Sequence, residues 1–446
     1  MQPAQHGKDQ NGSRLSNKVE LALHLEALTR CGGNCEGCTL TAIERRSGEL
    51  WSDEYFARVG RFVHRYIAEQ YQLHDGAIDE LSLVFGQGDY FSIGDDRIDP
   101  FIAWMQQAGH GRAVTTMTAS AIGNHDRLRK SVDHFYDATQ KYNQILGVSL
   151  VFDPKKVKIA HFEDTYGRNI AYINSAFGGI DLNLNIGYDT VQNIAPDSLH
   201  DFAARNNIRM VTINLTPTVT SIFSFYKHWD EIIDWIGAFC MGWQANRNYQ
   251  IHTTPSLARA IEAAPDDFGD VTAVRHLISS VSQKLTRDVH INGEGEIGHV
   301  QVAIGDMQLN ARTGITPTAH IDLADQPEPL LPQIDAACQA LATTMVRKRL
   351  MDRACQGCRW AAVCPQIGVH SLEATMKARK LDFGEPGGCP VRIKGMLDRV
   401  GAFIESDRDL MADCYGNTPP RVQLGMVPKH YKDFDPLDYA ESEIVF

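Results

Sequence analysis

Three cysteines lie within eight residues in the stretch "CGGNCEGC", at Cys31, Cys35 and Cys38. Their C-x3-C-x2-C spacing is too crowded for three disulfide partners, and clustered thiols in a reducing compartment indicate a metal site or catalysis. Thiolates are the ligands of iron–sulfur clusters, usually four to a cluster. Three would hold three irons of a [4Fe–4S] cube and leave one iron open to a substrate or cofactor. A zinc loop completed by His24 or a more distant residue is the alternative.

A second cysteine group lies toward the other end of the chain, in "CQGCRWAAVC" and "GEPGGCPV". It has C-x2-C-x5-C spacing and a distant fourth member, and it consists of Cys355, Cys358, Cys364 and Cys389. Four thiolates form a closed site, which predicts either a second iron–sulfur cluster or structural zinc. Cys338 and Cys414 are alternatives to Cys389 as the fourth ligand. Cys240, within "IIDWIGAFCMGW", is interpreted as a small buried residue in a helix.

The overall composition is that of an acidic globular protein. The chain has 446 residues and a net charge of −12, which argues against broad contact with nucleic acid because phosphate binding needs a basic surface. No apolar run reaches the roughly 18–20 residues that a membrane span needs. The first 17 residues are polar and lack the apolar core of a signal peptide. We therefore expect a cytoplasmic protein that does not contact a membrane.

Strand-like and helix-like segments alternate from residue 19 to about residue 240. The predicted strands cover residues 19–28, 81–89, 113–120, 145–153, 181–187 and 208–215, and a helical pattern follows each of them. Such alternation predicts a parallel sheet with right-handed crossovers, either doubly wound or an incomplete barrel. In both architectures the ligand site lies at the C-terminal ends of the strands. The first cysteine group directly follows the first strand and is therefore expected at that rim.

The alternation stops near residue 250, where we place a domain boundary. The predicted organisation is a disordered lead-in over residues 1–17, an α/β domain over 18–250, a smaller α+β domain over 251–414 and an irregular tail over 415–446. Short strands "DVHIN" and "GHVQVAIGD", a helix over about 328–347 and the helix "VRIKGMLDRVGAFIES" belong to the second domain.

The C-x3-C-x2-C loop after the first strand of a (β/α)6 pattern resembles the radical S-adenosylmethionine (SAM) enzyme superfamily. The resemblance covers residues 19 to about 240 and implies a partial (β/α)6 TIM-like barrel. It also implies that the open iron of a [4Fe–4S] cluster chelates SAM. An electron from the cluster then cleaves the sulfonium, and the 5′-deoxyadenosyl radical abstracts hydrogen from the substrate.

Four further segments are similar to SAM-contacting parts of that family. The turn "GQGD", which contains Gly86, Gly88 and Asp89, resembles the Gly-Gly-Glu-like turn that receives the SAM amino group, with Asp in place of Glu. Read alone, GQGD would be an ordinary turn. By the same resemblance Ser149 and Arg168 are expected to contact the SAM carboxylate and Leu215 the adenine. Gly37 stands where the family often has an aromatic residue.

The second cysteine group resembles the SPASM/twitch region that binds auxiliary clusters in this superfamily. The full pattern has an earlier cysteine pair and a cysteine four residues after the third, where this chain has Gly368. Those positions mostly serve the first of two clusters, so the resemblance implies one auxiliary [4Fe–4S] cluster.

The function implied is radical SAM chemistry, most often the oxidative modification of a ribosomally made peptide or protein. The alternatives are oxidation or rearrangement of a small molecule and a non-enzymatic iron–sulfur protein that transfers electrons or senses. An electron carrier gains nothing from an open iron, which argues against the last. The expected partners are a reductant such as flavodoxin or ferredoxin, a precursor peptide and a separate leader-binding protein, because only about 18 residues precede the first strand.

Overall fold

The fold is described from a computed structural model. It describes residues 19–33, 35, 38, 40, 42–153, 162–214, 224, 227–245, 249–254, 279, 282, 286–298, 319–351, 358, 360 and 393–406. The predicted lead-in over residues 1–17 and the predicted tail over 415–446 lie outside the described residues.

The described strands form one sheet in the order β10-β9-β8-β1-β2-β3-β4-β5-β6-β7. The strands are β1 (Glu20–Leu25), β2 (Glu80–Phe85), β3 (Val114–Ala119), β4 (Ile145–Phe152), β5 (Ile180–Asn185), β6 (Met210–Asn214), β7 (Gln250–Thr254), β8 (Asp288–Ile291), β9 (Glu296–Gly298) and β10 (Ala319–His320). Neighbours from β8 through β1 to β7 are parallel, and only the β8–β9 and β9–β10 pairs are antiparallel. The chain is therefore of the α/β class, as predicted.

Most of the described helices lie between successive parallel strands, and the last two follow the final strand. They are α1 (Ala42–Ser47), α2 (Asp53–Leu73), α3 (Asp95–Ala108), α4 (His125–Tyr142), α5 (Arg168–Phe177), α6 (Tyr188–Asn193), α7 (Pro196–Arg205), α8 (Trp229–Ala245), α9 (Leu330–Met351) and α10 (Ile393–Ser406). Ser52 and Asn124 cap α2 and α4 by accepting backbone N–H bonds from the first turn. A π turn at Glu163–Gly167 precedes α5.

The six strands predicted from the sequence are confirmed as β1 to β6, and their order in the sheet follows their order in the chain. A doubly wound sheet reverses its strand order at one point, and no reversal occurs from β1 to β7. Successive right-handed crossovers in one direction place the connecting helices on the same face of the sheet. This winding is consistent with the predicted partial barrel.

The two faces of the sheet differ in chemistry because side chains alternate along each strand. Leu23 of β1, Leu83 of β2, Leu150 of β4 and Leu182 of β5 are fully buried among apolar side chains of the core. Burial of such a face against helices is the main stabilising contribution to a fold of this class.

The opposite face is polar. Ser149 of β4 lies in register with Thr118 of β3 on one side and with Asp181 of β5 on the other. His24 of β1 lies in register with His290 of β8. A row of hydroxyl, carboxyl and imidazole groups is unsuited to an apolar core, so this face is suited to a polar ligand.

The sheet continues beyond residue 250. β7 pairs with β6, and β8 pairs in parallel with β1, so the later part of the chain extends the sheet at both edges. The sequence "QIHTT" of β7 is polar and was not predicted as a strand. The domain boundary near residue 250 stays a prediction, with the sheet crossing it.

Helix α9 is fixed to α2 by one carboxylate. Glu69 of α2 accepts the backbone N–H groups of Leu330 and Leu331 at 3.0 and 2.8 Å, which caps the N-terminus of α9 with a negative charge. Arg65 Nε lies 2.9 Å from the same carboxylate.

In the described part of the chain, no helix has the length and apolarity required to cross a bilayer.

Candidate functional site at the C-terminal ends of the strands

The first cysteine group lies in the loop that leaves β1, at the C-terminal end of the strand. The sulfurs of Cys31 and Cys35 approach one point, because a Cβ atom on Gly33 would lie 3.3 and 3.5 Å from them. The Gly33 N–H donates to Cys31 Sγ at 3.2 Å, and the Cys38 N–H donates to the Cys35 carbonyl at 3.3 Å. All three thiols are partly exposed. Over the described ranges, no three His, Cys, Asp or Glu side chains are gathered as a metal centre.

The GQGD turn that follows β2 is bonded to this cysteine loop. The backbone N–H of Asp89 donates to the carbonyl of Arg30 at 2.8 Å, directly before Cys31. The Cys31 N–H in turn donates to the Arg45 carbonyl of α1 at 3.0 Å. The structure therefore brings together two motifs that are distant in sequence, since parallel neighbouring strands end at the same edge of a sheet.

Side chains of β3 and of the residue after it hold the turn. Thr118 Oγ1 donates to the carbonyl of Gly88 at 3.2 Å and also to the carbonyl of Gln87. Ser120 Oγ donates to Asp89 Oδ2, and the Asp89 side chain is buried. A carboxylate has about four lone-pair sites, so Asp89 can accept from a ligand ammonium as well as from Ser120.

The two glycines of the turn have different surroundings. A Cβ on Gly88 would lie 2.5 Å from the Leu28 carbonyl oxygen, and the φ of Gly88 is +39°. Glycine is therefore required there for the close approach of the turn to the loop after β1. A Cβ on Gly86 would meet nothing within 4 Å, so Gly86 borders open space at the end of β2.

Two of the other predicted SAM contacts, Ser149 and Arg168, belong to the described residues. Ser149 is buried and accepts a hydrogen bond from Asn183 Nδ2. Arg168 is exposed at the first position of α5. Leu215 lies outside the described residues. These three contacts remain predictions.

Asn169, next to Arg168, fixes the loop after β3, and the sequence reasoning missed it. Its Nδ2 donates to the carbonyls of Ala121 and Gly123 at 2.8 and 2.9 Å, and its Oδ1 lies 2.9 Å from His125 Nδ1. Ala121 has a left-handed φ of 54°, so the loop conformation depends on such side-chain bonds. The bonds from Asn169 to this loop depend on the packing of α5 against it, which the sequence alone does not show.

Of the second cysteine group, Cys358 is described, and it is partly buried against the core. Trp360, two residues later, is buried and donates through Nε1 to Asp398 of α10 at 2.7 Å. This bond ties the Cys358 segment to the helix that follows Cys389 in sequence. Cys355, Cys364, Cys389 and the alternative Cys414 lie outside the described residues, so the ligand set stays a prediction.

The two cysteines inside helices are buried. Cys240 of α8 is buried as predicted, and burial raises the pKa of its thiol to about 12. Burial also raises the pKa of the Cys338 thiol in α9 to about 11, against a smaller lowering by its hydrogen bond with Thr286. The choice between Cys338 and Cys389 as a ligand of the second group stays a prediction.

Two further residues at the rim were missed by sequence reasoning. Glu26, the first residue after β1, is buried, and its Oε1 lies 3.0 Å from His290 Nε2 of β8. The two atoms are close but are not aligned as a hydrogen bond. An acidic residue directly after an apolar strand is a signal that could have identified Glu26, whereas His290 required knowledge of strand pairing.

Comparisons with known proteins gave structural similarities only. SuiB of Streptococcus suis bound to the precursor peptide SuiA is 14% identical, with 78% of this chain and 71% of that chain covered and a TM-score of 0.47. Native anSMEcpe with bound AdoMet and Cp18Cys peptide is 10% identical, with coverages of 85% and 99% and a TM-score of 0.48. N-acetylneuraminate lyase from Fusobacterium nucleatum is 12% identical, with coverages of 87% and 98% and a TM-score of 0.29. No family model and no curated protein matches the chain. Since these TM-scores are below 0.5, the functional case rests on the chain's own residues.

Proposed function

We propose that this chain is a radical SAM enzyme that cleaves S-adenosylmethionine reductively at a [4Fe–4S] cluster. The observation that carries the proposal is the 2.8 Å bond from the Asp89 N–H to the Arg30 carbonyl. It joins the turn predicted to receive the SAM ammonium to the loop predicted to hold the cluster. The bond holds the turn and the loop side by side at the edge of a parallel sheet where ligands bind.

The chain has residues suited to binding the cluster and residues suited to binding SAM. Cys31, Cys35 and Cys38 would hold the cluster, and the convergence of two of their sulfurs over Gly33 supports this. The open space beside Gly86 and the buried carboxylate of Asp89 suit the aminoacyl end of SAM. Cluster and SAM together supply one-electron cleavage of a sulfonium and hydrogen abstraction from the substrate. Ser149 and Arg168 are proposed contacts of the SAM carboxylate, and Leu215 of the adenine.

The protein's own part is to orient SAM. Asp89 accepts the ammonium in a charge-assisted hydrogen bond, which is stronger in a site with little water. Ser120 restrains the Asp89 carboxylate, and Thr118 restrains the turn backbone. Such restraint would hold the aminoacyl end of SAM in one orientation, and a fixed orientation favours the reaction of a bound ligand.

We further propose that the substrate is a ribosomally made peptide or protein and that the reaction is oxidative. This rests on the resemblance of the second cysteine group to SPASM/twitch regions, whose members mostly modify peptides. Cys355, Cys358, Cys364 and Cys389 would bind one auxiliary [4Fe–4S] cluster that accepts the electron left on the substrate. Flavodoxin or ferredoxin would supply electrons, and a separate protein would bind the leader of the precursor peptide. A gene for a short precursor peptide beside this one would support the peptide over a small molecule.

The direct test is SAM cleavage by the full chain. After anaerobic reconstitution and reduction with dithionite, the protein is expected to form 5′-deoxyadenosine and methionine slowly without any substrate, as measured by liquid chromatography. Purified protein that holds stoichiometric zinc, takes up no iron and forms no 5′-deoxyadenosine would overturn the proposal.

Asp89→Ala is expected to weaken SAM binding. The change removes a charge-assisted bond to the ammonium that contributes roughly 1.5–3 kcal/mol. Equilibrium binding of SAM to the reconstituted protein measures the effect. Asp95→Ala, which removes the same charge from an exposed position in the first turn of α3, is the matched control and should bind SAM as the wild type does. Equal affinity in both variants would mean that GQGD is only a turn.

Cys358→Ala is expected to separate the two clusters. The iron content should fall from about eight to about four per chain, while 5′-deoxyadenosine formation persists, because a cluster ligated by four thiolates has no open iron for SAM. Iron analysis and the SAM cleavage assay are performed on one preparation, with circular dichroism as a check of folding. An unchanged iron content would exclude Cys358 as a ligand.

A further inference from the structure

Two histidine–carboxylate pairs join β1 to β8 on the polar face of the sheet. His24 Nε2 lies 3.0 Å from Asp288 Oδ1, and His290 Nε2 lies 3.0 Å from Glu26 Oε1. The two imidazoles are stacked, with ring centroids 6.0 Å apart. One partner of each pair comes from the start of the chain and the other from beyond residue 250. The Asp288 pair lies two residues nearer the N-terminal ends of the strands, about 7 Å farther from the turn after β2.

The Glu26 pair reaches that turn. Glu26 accepts a hydrogen bond from Gln87 Nε2, the side chain of the second residue of GQGD. Gln87 has a left-handed φ of 63°, which is sterically unfavourable for a residue with a Cβ atom. Its carbonyl accepts from Thr118. Two contacts therefore stabilise the unfavourable backbone of Gln87. Glu26, directly after β1, binds its side chain, and Thr118 of β3 binds its carbonyl.

We propose that Glu26, backed by His290, is a positioning residue for SAM: it holds Gln87 in its left-handed conformation and so preforms the turn from Gly86 to Asp89. The role depends on the proposed SAM site. It makes a strand from beyond residue 250 part of that site, because His290 of β8 lies 3.0 Å from the carboxylate that accepts the hydrogen bond from Gln87. A loosened turn would have to be ordered by SAM itself, which lowers the apparent affinity.

The competing explanation is that both pairs merely fasten β1 to β8. If the pairs only stabilise the contact between β1 and β8, the two pairs should be equivalent. Loss of either pair would then lower the melting temperature without a specific effect on SAM binding. A positioning role predicts that the carboxylate nearer the turn matters for SAM and the farther one does not. It also predicts that the effect depends on a Cβ atom at position 87, because glycine adopts a positive φ without strain.

The experiment is equilibrium SAM binding to the anaerobically reconstituted full chain. Glu26→Ala is expected to bind SAM about tenfold more weakly than the wild type. Asp288→Ala, the matched control with the same truncation in the other pair, should bind within about twofold of the wild type. Gln87→Ala, which loses the grip of Glu26 but keeps the Cβ atom, should bind about tenfold more weakly than Gln87→Gly.

The double variant completes the test. In the Gln87→Gly background, Glu26→Ala should no longer lower the SAM affinity, and thermal melting of every variant separates folding from binding. A tenfold loss that persists in that background, an equal loss in Asp288→Ala, or equal affinities of Gln87→Ala and Gln87→Gly would each overturn the positioning role. If Glu26→Ala fails to fold, the comparison of Gln87→Ala with Gln87→Gly still tests the positioning role. Wild-type protein that binds no SAM would refute the proposed function, whereas normal SAM binding by every variant would refute only the role of Glu26.

Discussion

Replacing Cys31, Cys35 and Cys38 together by Ala is expected to reduce 5′-deoxyadenosine formation to the level of buffer without protein. The iron content should fall from about eight to about four per chain, because only the second cysteine group would still hold a cluster. The loss should be complete because, in the proposed function, the three thiolates of one loop are all the protein ligands of the open-iron cluster. Iron and sulfide analysis with the SAM cleavage assay measures it.

The matched control for this experiment is Cys240→Ala. Cys240 is buried in α8, so its loss should change neither iron content nor SAM cleavage beyond a small effect on stability. Retention of SAM cleavage by the triple variant would remove the cysteine loop from the mechanism. Retention of all iron would mean that the loop holds no cluster.

Gly88→Ala is expected to have the second largest effect. Its Cβ would lie 2.5 Å from the Leu28 carbonyl oxygen, and its φ of +39° disfavours any side chain. Since the obstacle is backbone, the turn must shift, which should lower the free energy of unfolding by about 2–4 kcal/mol. The displaced turn should also bind SAM at least roughly 30-fold more weakly, given the charge-assisted bond that it carries. Urea unfolding and SAM titration measure the two effects.

Gly86→Ala is the informative partner of that variant. Its Cβ would meet nothing within 4 Å, so the free energy of unfolding should change by less than about 1 kcal/mol. The SAM affinity should nevertheless fall, because the methyl group enters the space that we assign to SAM. Unchanged SAM binding in Gly86→Ala would place the ligand elsewhere, and normal stability in Gly88→Ala would contradict the close approach to Leu28.

Residue spacing along the chain is enough to predict the class of the fold. Strand and helix periods are local properties, so β1 to β6 and a helix after each of them could be predicted, whereas the short helices α1 and α6 were not. The predicted second strand, 81–89, was too long because its last residues form the GQGD turn, and the strand ends at Phe85. The crowding of Cys31, Cys35 and Cys38 is likewise a local property, and by itself it indicates metal chemistry.

The tertiary structure decided how distant segments meet. The polar strand β7 has no apolar alternation and forms by pairing with β6, and β8 joins β1 across most of the chain. The same pairing brings His290 to Glu26, and the adjacency of β1 and β2 brings Asp89 to Arg30. Spacing along a sequence determines periodicity and local ligand sets. Contacts between segments far apart in sequence depend on which strand edges pair, and strand pairing is settled by the packing of the whole sheet.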